Sequence, residues 1–415
     1  MGILHSNSQQ SLTSTNTHDV SQQLDAATNY EILHTLDTDR EAIEARINQL
    51  IDQQCNFSRC AESTDYYYPL IEDIATQAHT SNTGGKRLRA LLALAWFDAC
   101  QQTTNSEPSS CTHGDECAHT RIGNSIDRDA MVSLASAIEM YQTAALVHDD
   151  IIDDADTRRG KPTAHRALAR PGVSGTGLGI MFGDLLTTIS MSVLADLNIA
   201  HHEPVFSQHI LHRFMNMHRD VELGQILDLA SEHMPLDEPQ AIIANAMKVY
   251  RWKTASYTTI APLALAGLAA GLHPQVAHAW SMRVGLPLGL AFQIADDLID
   301  VTANPHHSGK PLGGDIREGK RTILLADTLQ AVDTTQREFI INAYMQAHRD
   351  EATCKRIIEL MHSSGAVKQS QSRITVLYQQ SVGCLQRAAK ELSFTTPNID
   401  NILATCSLFI PQVHE

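Results

Sequence analysis

The sequence predicts an all-α protein, and three observations support that prediction. Apolar residues recur at positions i, i+3, i+4 and i+7 from Asp129 onward, which is the spacing of one face of an α-helix. No segment shows the sustained two-residue alternation that is typical of a half-buried β-strand. Aromatic residues make up only 5% of the chain, whereas leucine, alanine and isoleucine are abundant, and this composition favours packed helices over a β-sandwich.

The chain divides into a short polar tail and one long domain. Residues 1–29 are rich in serine, glutamine, threonine and asparagine and have no apolar period, so we predict a flexible tail. Helical patterning begins near Tyr30, and residues 30–415 are predicted to form a single domain. Within it, residues 101–127 are polar and are interrupted by proline and glycine, which predicts an unusually long exposed loop between two helices.

The composition excludes several classes of protein. An apolar fraction of 43% over 415 residues can build a sizeable core, which excludes a wholly disordered chain. The formal net charge of −16 argues against a protein that binds the nucleic-acid backbone. The longest apolar run, Ile260–Leu272, is shorter than the roughly 20 residues that cross a bilayer, so no integral membrane segment is predicted.

The eight cysteines are scattered and follow no signal peptide, which predicts reduced thiols in a cytoplasmic protein. Two of them share the long loop with two histidines, in the order Cys111, His113, Cys117 and His119. These residue types bind metals, but their spacing is not a standard zinc pattern. We interpret the segment as a flexible loop with incidental soft ligands, and a structural zinc site is the alternative.

Two acidic clusters interrupt strongly apolar helices, and each has the pattern D-D-x-x-D. Asp149 and Asp153 in the first cluster, like Asp296 and Asp300 in the second, lie four residues apart. On a helix this spacing stacks the carboxylates one turn apart, with about 5–6 Å between Cβ atoms. Such charges repel each other, and apolar surroundings drive them to take up protons, so a solvated acidic face fits poorly. Mg²⁺ prefers carboxylate oxygens and removes both problems, so the clusters predict a shared magnesium site.

Basic residues complete this picture. GGKRLR at 84–89 places three cations after a glycine pair, and DTRRGKPT at 156–163 follows the first acidic cluster directly. Carboxylates, magnesium and arginine forks together are typical of a diphosphate site, because arginine grips phosphate oxygens bidentately. The chain has no G-x-x-x-x-G-K-[ST] motif, so a P-loop nucleotide site is not supported.

From about residue 60 onward the sequence resembles the trans-isoprenyl diphosphate synthases. The resemblance implies the all-α isoprenoid synthase fold, with antiparallel helices around a deep central cavity, and a homodimer. It rests on seven motifs in the family's order: GGKRLR at 84–89, HDDIIDDADTRRGKPTAH at 148–165, GDLL at 183–186, GQILDL at 224–229, KT at 253–254, FQIADDLID at 292–300 and GKPLGGDIREGKRT at 309–322.

The resemblance also implies an activity and a role for individual residues. Isopentenyl diphosphate would be condensed head to tail with dimethylallyl, geranyl or farnesyl diphosphate, using three Mg²⁺ ions per active site. The implied metal ligands and their neighbours are Asp149, Asp150, Asp153, Asp296, Asp297 and Asp300. The implied contacts to the allylic diphosphate are Arg158, Lys253 and Lys310, with Lys320 near the cavity mouth. The implied contacts to isopentenyl diphosphate are Lys86, Arg89, Gln142 and Arg159.

The chemistry explains why these residue types are needed. Magnesium neutralises the departing diphosphate, so that the allylic C–O bond can break heterolytically. Lys253, Thr254 and Gln293 are the implied catalytic residues, and the last two would face the developing carbocation. Fixed dipoles in a dry cavity stabilise such a cation and exclude water. The released diphosphate would take up the proton, so no catalytic histidine is predicted and His148 is interpreted as a structural hydrogen-bonding residue.

The residues before the first acidic cluster predict the product length. Members of the family that make short products carry a bulky aromatic residue four or five positions before this cluster, where this chain has Ala145 and Ala144. Tyr141 lies eight residues before Asp149, about 12 Å along a helix. We therefore predict that Tyr141 forms the cavity floor and that the main product is geranylgeranyl diphosphate, although Tyr141 could simply pack in the core.

Three alternatives remain open on the sequence. A longer-chain polyprenyl diphosphate synthase would share every motif. A terpene cyclase with the same fold needs neither a second D-D-x-x-D of this form nor the basic residues for a second diphosphate. A non-catalytic partner subunit of an active synthase is expected to have lost aspartates from one cluster, whereas this chain retains all six.

Overall fold

The structure is a computed structural model that describes residues 26–55, 67–102, 121, 125–199, 204–302 and 312–410. The helices in these ranges are α1 Ala26–Gln54, α2 Tyr68–Asn82, α3 Leu88–Gln102, α4 Arg128–Ile152, α5 Ala164–Ala167, α6 Gly175–Ile199, α7 Pro204–Ser231, α8 Pro239–Val249, α9 Ala261–Ala269, α10 Pro274–Trp280, α11 Leu286–Thr302, α12 Gly314–Glu318, α13 Ile323–Ala331, α14 Thr334–Tyr344, α15 Glu351–Ser363, α16 Ala366–Glu391 and α17 Thr396–Ser407. Two π-helical segments, Tyr250–Ile260 and Ser281–Gly285, continue α8 into α9 and α10 into α11.

The predicted all-α class is confirmed. Helix α1 begins at Ala26, four residues before Tyr30, and residues 101–102 of the predicted loop belong to α3. Most of the other residues of the predicted loop, 103–120 and 122–124, lie outside the described residues. The four loop residues Cys111, His113, Cys117 and His119 lie outside the described residues, and so does most of the predicted N-terminal tail.

A two-stranded hairpin follows α4, and the sequence analysis did not predict it. Strands β1 (Thr157–Arg158) and β2 (Lys161–Pro162) pair antiparallel, with Arg158 opposite Lys161. The two turn residues, Arg159 and Gly160, have φ angles of 51° and 74°. Positive φ at both central positions gives a type I′ turn, whose twist matches that of the strands. The hairpin therefore fixes two adjacent arginines beside the first acidic cluster.

Helix α4 forms the wall on which the site is built. Its N-terminus is capped by Asp127, whose carboxylate accepts a hydrogen bond from the Ala130 backbone N–H at 2.7 Å. The helix packs against α6, and Gly183 on α6 permits the close approach, because a Cβ there would lie 2.2 Å from Nε2 of His148. The first position of the GDLL motif therefore requires glycine, because a larger residue there would clash with His148, which precedes the acidic cluster.

The first π-helical segment carries the KT motif, and two glycines allow neighbouring helices to press against it. A Cβ on Gly224 of α7 would lie 2.2 Å from the Lys253 backbone nitrogen, and one on Gly289 of α11 would lie 2.5 Å from Cβ of Ala255. π-Helical turns are frequent at functional sites because the extra residue per turn redirects side chains. Here the segment meets the second acidic helix on one side and the GQILDL helix on the other.

The buried apolar residues form two clusters, one centred on α3, α4 and α9 and the other on α8, α11, α13 and α15. Among the described residues, two helices, Arg128–Ile152 and Gly175–Leu197, are long and apolar enough to cross a membrane. Core helices of globular proteins pass the same test, and the first of these two helices is mostly buried in the core.

Candidate active site

The first acidic cluster stands at the end of α4, beside a cavity of about 300 Å³ that we call the main cavity. The walls of this cavity come from α4, α6, α7 and the first π-helical segment, and Asp149 and Lys253 lie in its lining. Asp153 is exposed at the carboxyl end of the helix. Asp150 is buried and faces a different cavity, where it binds Arg158. The structure therefore places Asp149 and Asp150 on different sides of α4.

Asp149 fits a magnesium ligand. Burial raises the pKa of its carboxyl, the ammonium group of Lys253 lowers it, and the carboxylate of Asp153 raises it again, with the net effect upward. The ionised carboxylate thus has too little positive charge around it. A divalent cation bound here would supply that charge.

The three carboxylates of the second cluster have different surroundings on α11. Asp296 is exposed. Asp297 is only 7% exposed and accepts hydrogen bonds from the Tyr250 hydroxyl and from Nε2 of Gln293. Asp300 accepts hydrogen bonds from the backbone N–H groups at the start of α12 at 3.0 and 3.1 Å. Burial and the neighbouring Asp315 raise the pKa of Asp300 to about 6. Asp296 is therefore the exposed member of this cluster.

Two lysines connect the acidic residues of the site. Lys253 donates a hydrogen bond to Asp228 at 2.6 Å. Although burial lowers the pKa of Lys253, the carboxylates of Asp149 and Asp228 raise it overall, so the ammonium form persists. Burial likewise lowers the pKa of Lys320, but Asp315, Glu318 and Asp153 raise it well above the usual value.

Lys320 therefore carries a positive charge between the first cluster and the α12 segment that Asp300 holds. The remaining predicted diphosphate contact, Lys310, lies outside the described residues.

The geometry suits a magnesium ion whose coordination shell is completed by a bound substrate. Within the described ranges, no three histidine, cysteine or acidic side chains converge closely enough to hold a metal ion alone. Mg²⁺ usually takes one or two protein carboxylates and fills its remaining positions with water and substrate phosphates. Asp149, Asp153 and Asp296 are the residues that would hold it here, and it would supply positive charge to the leaving diphosphate.

A second cavity of about 260 Å³ lies between α2, α4 and the hairpin, and we call it the basic cavity. Arg158 and Arg159 both line it, together with Thr83. Asp150 fixes Arg158, since Nε and one terminal nitrogen of the guanidinium each lie 2.7 Å from the same carboxylate oxygen. Burial and the guanidinium groups of Arg158 and Arg87 lower the pKa of Arg159. This uncompensated positive charge suits an anion such as a diphosphate.

The other residues predicted to bind isopentenyl diphosphate occupy different positions. Lys86 is exposed and Gln142 is half-buried. Arg89 is buried, donates a hydrogen bond to Thr258 at 2.9 Å and stacks 4.2 Å from the ring centroid of Tyr257. Arg89 thus contacts Tyr257, a residue of the main-cavity lining, and its charge also contributes to lowering the pKa of Arg159 in the basic cavity.

The inner end of the main cavity is aromatic. Ala145 and Tyr257 line it, whereas Ala144 is fully buried in the core and does not. Tyr141 lies behind this lining, with its ring 6.2 Å from that of Tyr257 and stacked at 3.9 Å on His218. The Tyr141 hydroxyl and Nε2 of His218 are buried without hydrogen-bond partners among the described residues. The predicted floor residue thus packs against Tyr257 and is not itself part of the cavity lining.

Thr254 and Gln293, for which a shared role is predicted, lie in contact with each other. The Thr254 hydroxyl donates a hydrogen bond to Oε1 of Gln293 at 2.6 Å. Thr254 follows Lys253 on the π-helical segment, and Gln293 lies one turn before Asp297 on α11. Two oxygen atoms with partial negative charge therefore stand next to each other where these two elements meet.

Sequence reasoning did not assign roles to several residues of the site. Asp228 binds Lys253, and Glu222 and Gln225 line the main cavity. These three residues recur every third position on α7, which is one side of a helix, and two of them belong to the GQILDL motif. That spacing was a usable signal. Tyr250, which reaches Asp297 from the preceding turn of the π-helical segment, had no such signal.

Comparison with known proteins agrees with this geometry. Residues 71–361 match the family model of polyprenyl synthetase. An all-trans-nonaprenyl-diphosphate synthase (geranyl-diphosphate specific) of Rhodobacter capsulatus is 26% identical over 313 residues, which is 75% of this chain and 82% of that protein. Geranylgeranyl pyrophosphate synthase 9, chloroplastic, of Arabidopsis thaliana is 28% identical over 287 residues, 66% of this chain and 70% of that protein.

The crystal structure of geranylgeranyl pyrophosphate synthase from Corynebacterium glutamicum, complexed with isoprenyl diphosphate and magnesium, superimposes with a TM-score of 0.74. The two chains are 28% identical, and the match covers 91% of this chain and 99% of the other. The predicted isoprenoid synthase fold is confirmed. The similar proteins differ in product, since their names include both nonaprenyl and geranylgeranyl diphosphate.

Proposed function

This chain belongs to the polyprenyl synthetase family and is a trans-prenyltransferase, and from that premise we propose that its main product is geranylgeranyl diphosphate. The proposal is supported by the main cavity, whose lining includes Asp149 and Lys253 as well as Ala145 and Tyr257. Small residues near the acidic cluster leave room for a long chain, and the rings of Tyr257 and Tyr141 limit its length.

The allylic diphosphate would bind at the acidic clusters. When bound there, Mg²⁺ neutralises the diphosphate and makes it a better leaving group. We propose three ions for each site. Lys253, Lys320 and Lys310 would contact the same diphosphate, and Asp228 holds the first of these in place. Arg158 would contribute from the side of the basic cavity, where Asp150 fixes its guanidinium.

Isopentenyl diphosphate would bind in the basic cavity through Arg159, with Lys86 and Gln142 nearby and Arg89 on the side of the main cavity. When the allylic C–O bond breaks, Thr254 and Gln293 would present oxygen atoms to the cation, and the apolar walls would exclude water. The double bond of isopentenyl diphosphate then attacks the cation, and a proton leaves to restore an alkene.

We propose that two copies of the chain associate through α6 and α7. Both helices leave large apolar side chains exposed, among them Met181 at 61% and Ile226 at 62%. Apolar surface on two neighbouring helices is typical of subunit contacts. Light scattering coupled to size exclusion is expected to give the mass of a dimer. We also propose a cytoplasmic location, which is supported by the free thiols of the five cysteines in the described ranges.

The activity is tested by incubating the protein with Mg²⁺, radiolabelled isopentenyl diphosphate and each allylic primer in turn, followed by chromatography of the dephosphorylated products. We expect geranylgeraniol as the main product. Longer alcohols would instead support a longer-chain synthase. The similarity to the nonaprenyl enzyme favours this alternative. A hydrocarbon product would indicate a cyclase, and no elongation with any primer would indicate a non-catalytic subunit.

Replacing Arg159 with glutamine is expected to raise KM for isopentenyl diphosphate about 10- to 100-fold, because a charge-assisted hydrogen bond to a phosphate is lost. KM for the allylic primer is expected to change little. Initial rates measured with one substrate varied at a time separate the two constants. Arg166→Gln is the matched control, since that arginine binds the exposed Asp154 and Asp156 outside both cavities. Equal increases in both KM values would contradict the assignment.

A further inference from the structure

A continuous line of hydrogen bonds runs behind the second acidic cluster. The backbone N–H of Ile323 donates to the Tyr250 hydroxyl at 3.3 Å, and that hydroxyl donates to one carboxylate oxygen of Asp297. The other oxygen of Asp297 accepts a hydrogen bond from Nε2 of Gln293 at 2.8 Å. Oε1 of Gln293 in turn accepts the hydroxyl of Thr254 at 2.6 Å. Three elements, the π-helical segment with its KT motif, α11 and the start of α13, are thereby connected.

The donors and acceptors in this line determine the orientation of the Gln293 amide. Because the Tyr250 oxygen already accepts the Ile323 N–H, its own proton is directed to Asp297. In the structure both oxygens of Asp297 accept hydrogen bonds, and the amino group of Gln293 faces Asp297. Its carbonyl oxygen then points the other way, toward Thr254. An isolated glutamine has no such preference, since its two ends have nearly the same shape.

Asp297 is poorly placed to bind a metal ion. Its side chain is 7% exposed, and each oxygen already accepts a hydrogen bond from the protein. The adjacent Asp296 is exposed. Consecutive residues on a helix are rotated by about 100°, so the two carboxylates of the D-D pair cannot share one environment. The motif therefore divides its two leading aspartates between the solvent side and the interior.

We propose that Asp297 and Tyr250 are positioning residues that hold the Gln293 carbonyl oxygen toward Thr254, and that Asp297 is not a magnesium ligand. The inference rests on the proposed function, in which Thr254 and Gln293 face the developing carbocation. The negative ends of two dipoles then lie ready before the charge forms, and no reorientation is needed when it does. Tyr250 acts from outside the site and touches no substrate.

The test uses binding rather than turnover. Two analogues of the allylic diphosphate are compared by calorimetry with Mg²⁺ present: one carries an ammonium nitrogen at the position of the developing cation, and the other is its neutral carbon isostere. Tyr250→Phe is expected to weaken the ammonium analogue roughly tenfold, as the loss of one oriented dipole predicts, and to leave the neutral analogue unchanged. Equal weakening of both analogues, or of neither, overturns the proposal.

Tyr344→Phe is the matched control, because Tyr344 is a buried tyrosine of the same apolar cluster, away from this line of hydrogen bonds. It is expected to leave the affinity ratio of the two analogues unaltered. If Tyr250→Phe does not fold, Asp297→Asn is compared with Asp300→Asn, which removes a carboxyl group from the same helix without touching Gln293. An asparagine amino group would require Gln293 to turn its carbonyl oxygen inward, so the preference for the ammonium analogue is expected to fall at least as far.

Magnesium titration separates positioning from metal binding. Asp296→Asn is expected to raise the Mg²⁺ concentration for half-saturation of pyrophosphate binding by tenfold or more, while Asp297→Asn leaves it within about twofold. An equal increase for both variants would show that Asp297 is a ligand and would overturn the proposal. Failure of the proposed function appears separately, as wild-type protein that elongates none of the allylic primers.

Discussion

Replacing Asp149 with asparagine is expected to reduce the rate of prenyl transfer by roughly 1,000-fold or more, equivalent to about 4 kcal/mol of transition-state stabilisation. Asparagine keeps the shape of the side chain but lacks the charge that would hold Mg²⁺. Glu222 is the other carboxylate in the lining of the main cavity, but it lies on α7 and belongs to neither D-D-x-x-D cluster. Single-turnover elongation of an allylic primer at saturating Mg²⁺ measures the loss.

The same replacement at Asp296 is expected to have a similar effect, because the two carboxylates would hold magnesium from different helices. Asp154→Asn is the matched control. Asp154 belongs to the same acidic stretch as Asp149, but it is 84% exposed and binds Arg166. Its positive φ of 49° suits asparagine as well as aspartate, so the backbone is not strained. Activity within about twofold of wild type is expected for this variant, as for most surface substitutions.

The thermal stability of the Asp149→Asn and Asp154→Asn variants provides an independent test of the same assignment. Burial raises the pKa of Asp149 in the folded protein, so without metal its ionisation opposes folding, and stability falls as the pH rises through the folded pKa. Asp149→Asn removes this cost and is expected to raise the thermal midpoint of the metal-free protein at pH 7. Mg²⁺ with pyrophosphate is expected to stabilise wild type and Asp154→Asn but not Asp149→Asn. A wild-type response in Asp149→Asn would contradict the magnesium assignment.

Much of the architecture was predictable because the helices follow from local patterning. The apolar period of α4 and α11, and breaks such as the glycine pair at 313–314, depend on residues close together in sequence. The π-helical segment was not predictable in this way. Its geometry depends on two close helix contacts, at Gly224 and Gly289, which come from distant parts of the chain. The hairpin was missed because two-residue strands are too short to show an alternating pattern.

The candidate site, too, has features that the sequence predicts and features that depend on tertiary contacts. The D-D-x-x-D spacing indicates which carboxylates share a face, but not which face is buried. Tertiary packing decides that Asp297 turns inward to Tyr250 and that Asp300 holds the start of α12, whereas Asp149 lines the main cavity. Likewise, Asp150 was expected near the metal, and the structure pairs it with Arg158. The family's motifs identify the residues of the site, and contacts between distant parts of the chain determine the surroundings of each one.

Removing the ring of Tyr141 is expected to lengthen the product. Tyr141→Ala would open space behind Tyr257, at the inner end of the main cavity, so that the growing chain could extend by one or more isoprene units before it meets the wall. Chromatography of the dephosphorylated products with farnesyl diphosphate as primer measures the shift. The substitution also removes a buried aromatic ring, which is expected to cost about 3–5 kcal/mol of unfolding free energy.

Tyr141→Phe separates the effect of the ring from that of the hydroxyl. The Tyr141 hydroxyl is buried and has no hydrogen-bond partner among the described residues, so its burial costs free energy that no hydrogen bond recovers. Phenylalanine keeps the ring stacked on His218. We therefore expect Tyr141→Phe to keep the product length of wild type and to be at least as stable. A product distribution that stays unchanged in Tyr141→Ala would show that Tyr257 alone limits the chain and that Tyr141 only supports it.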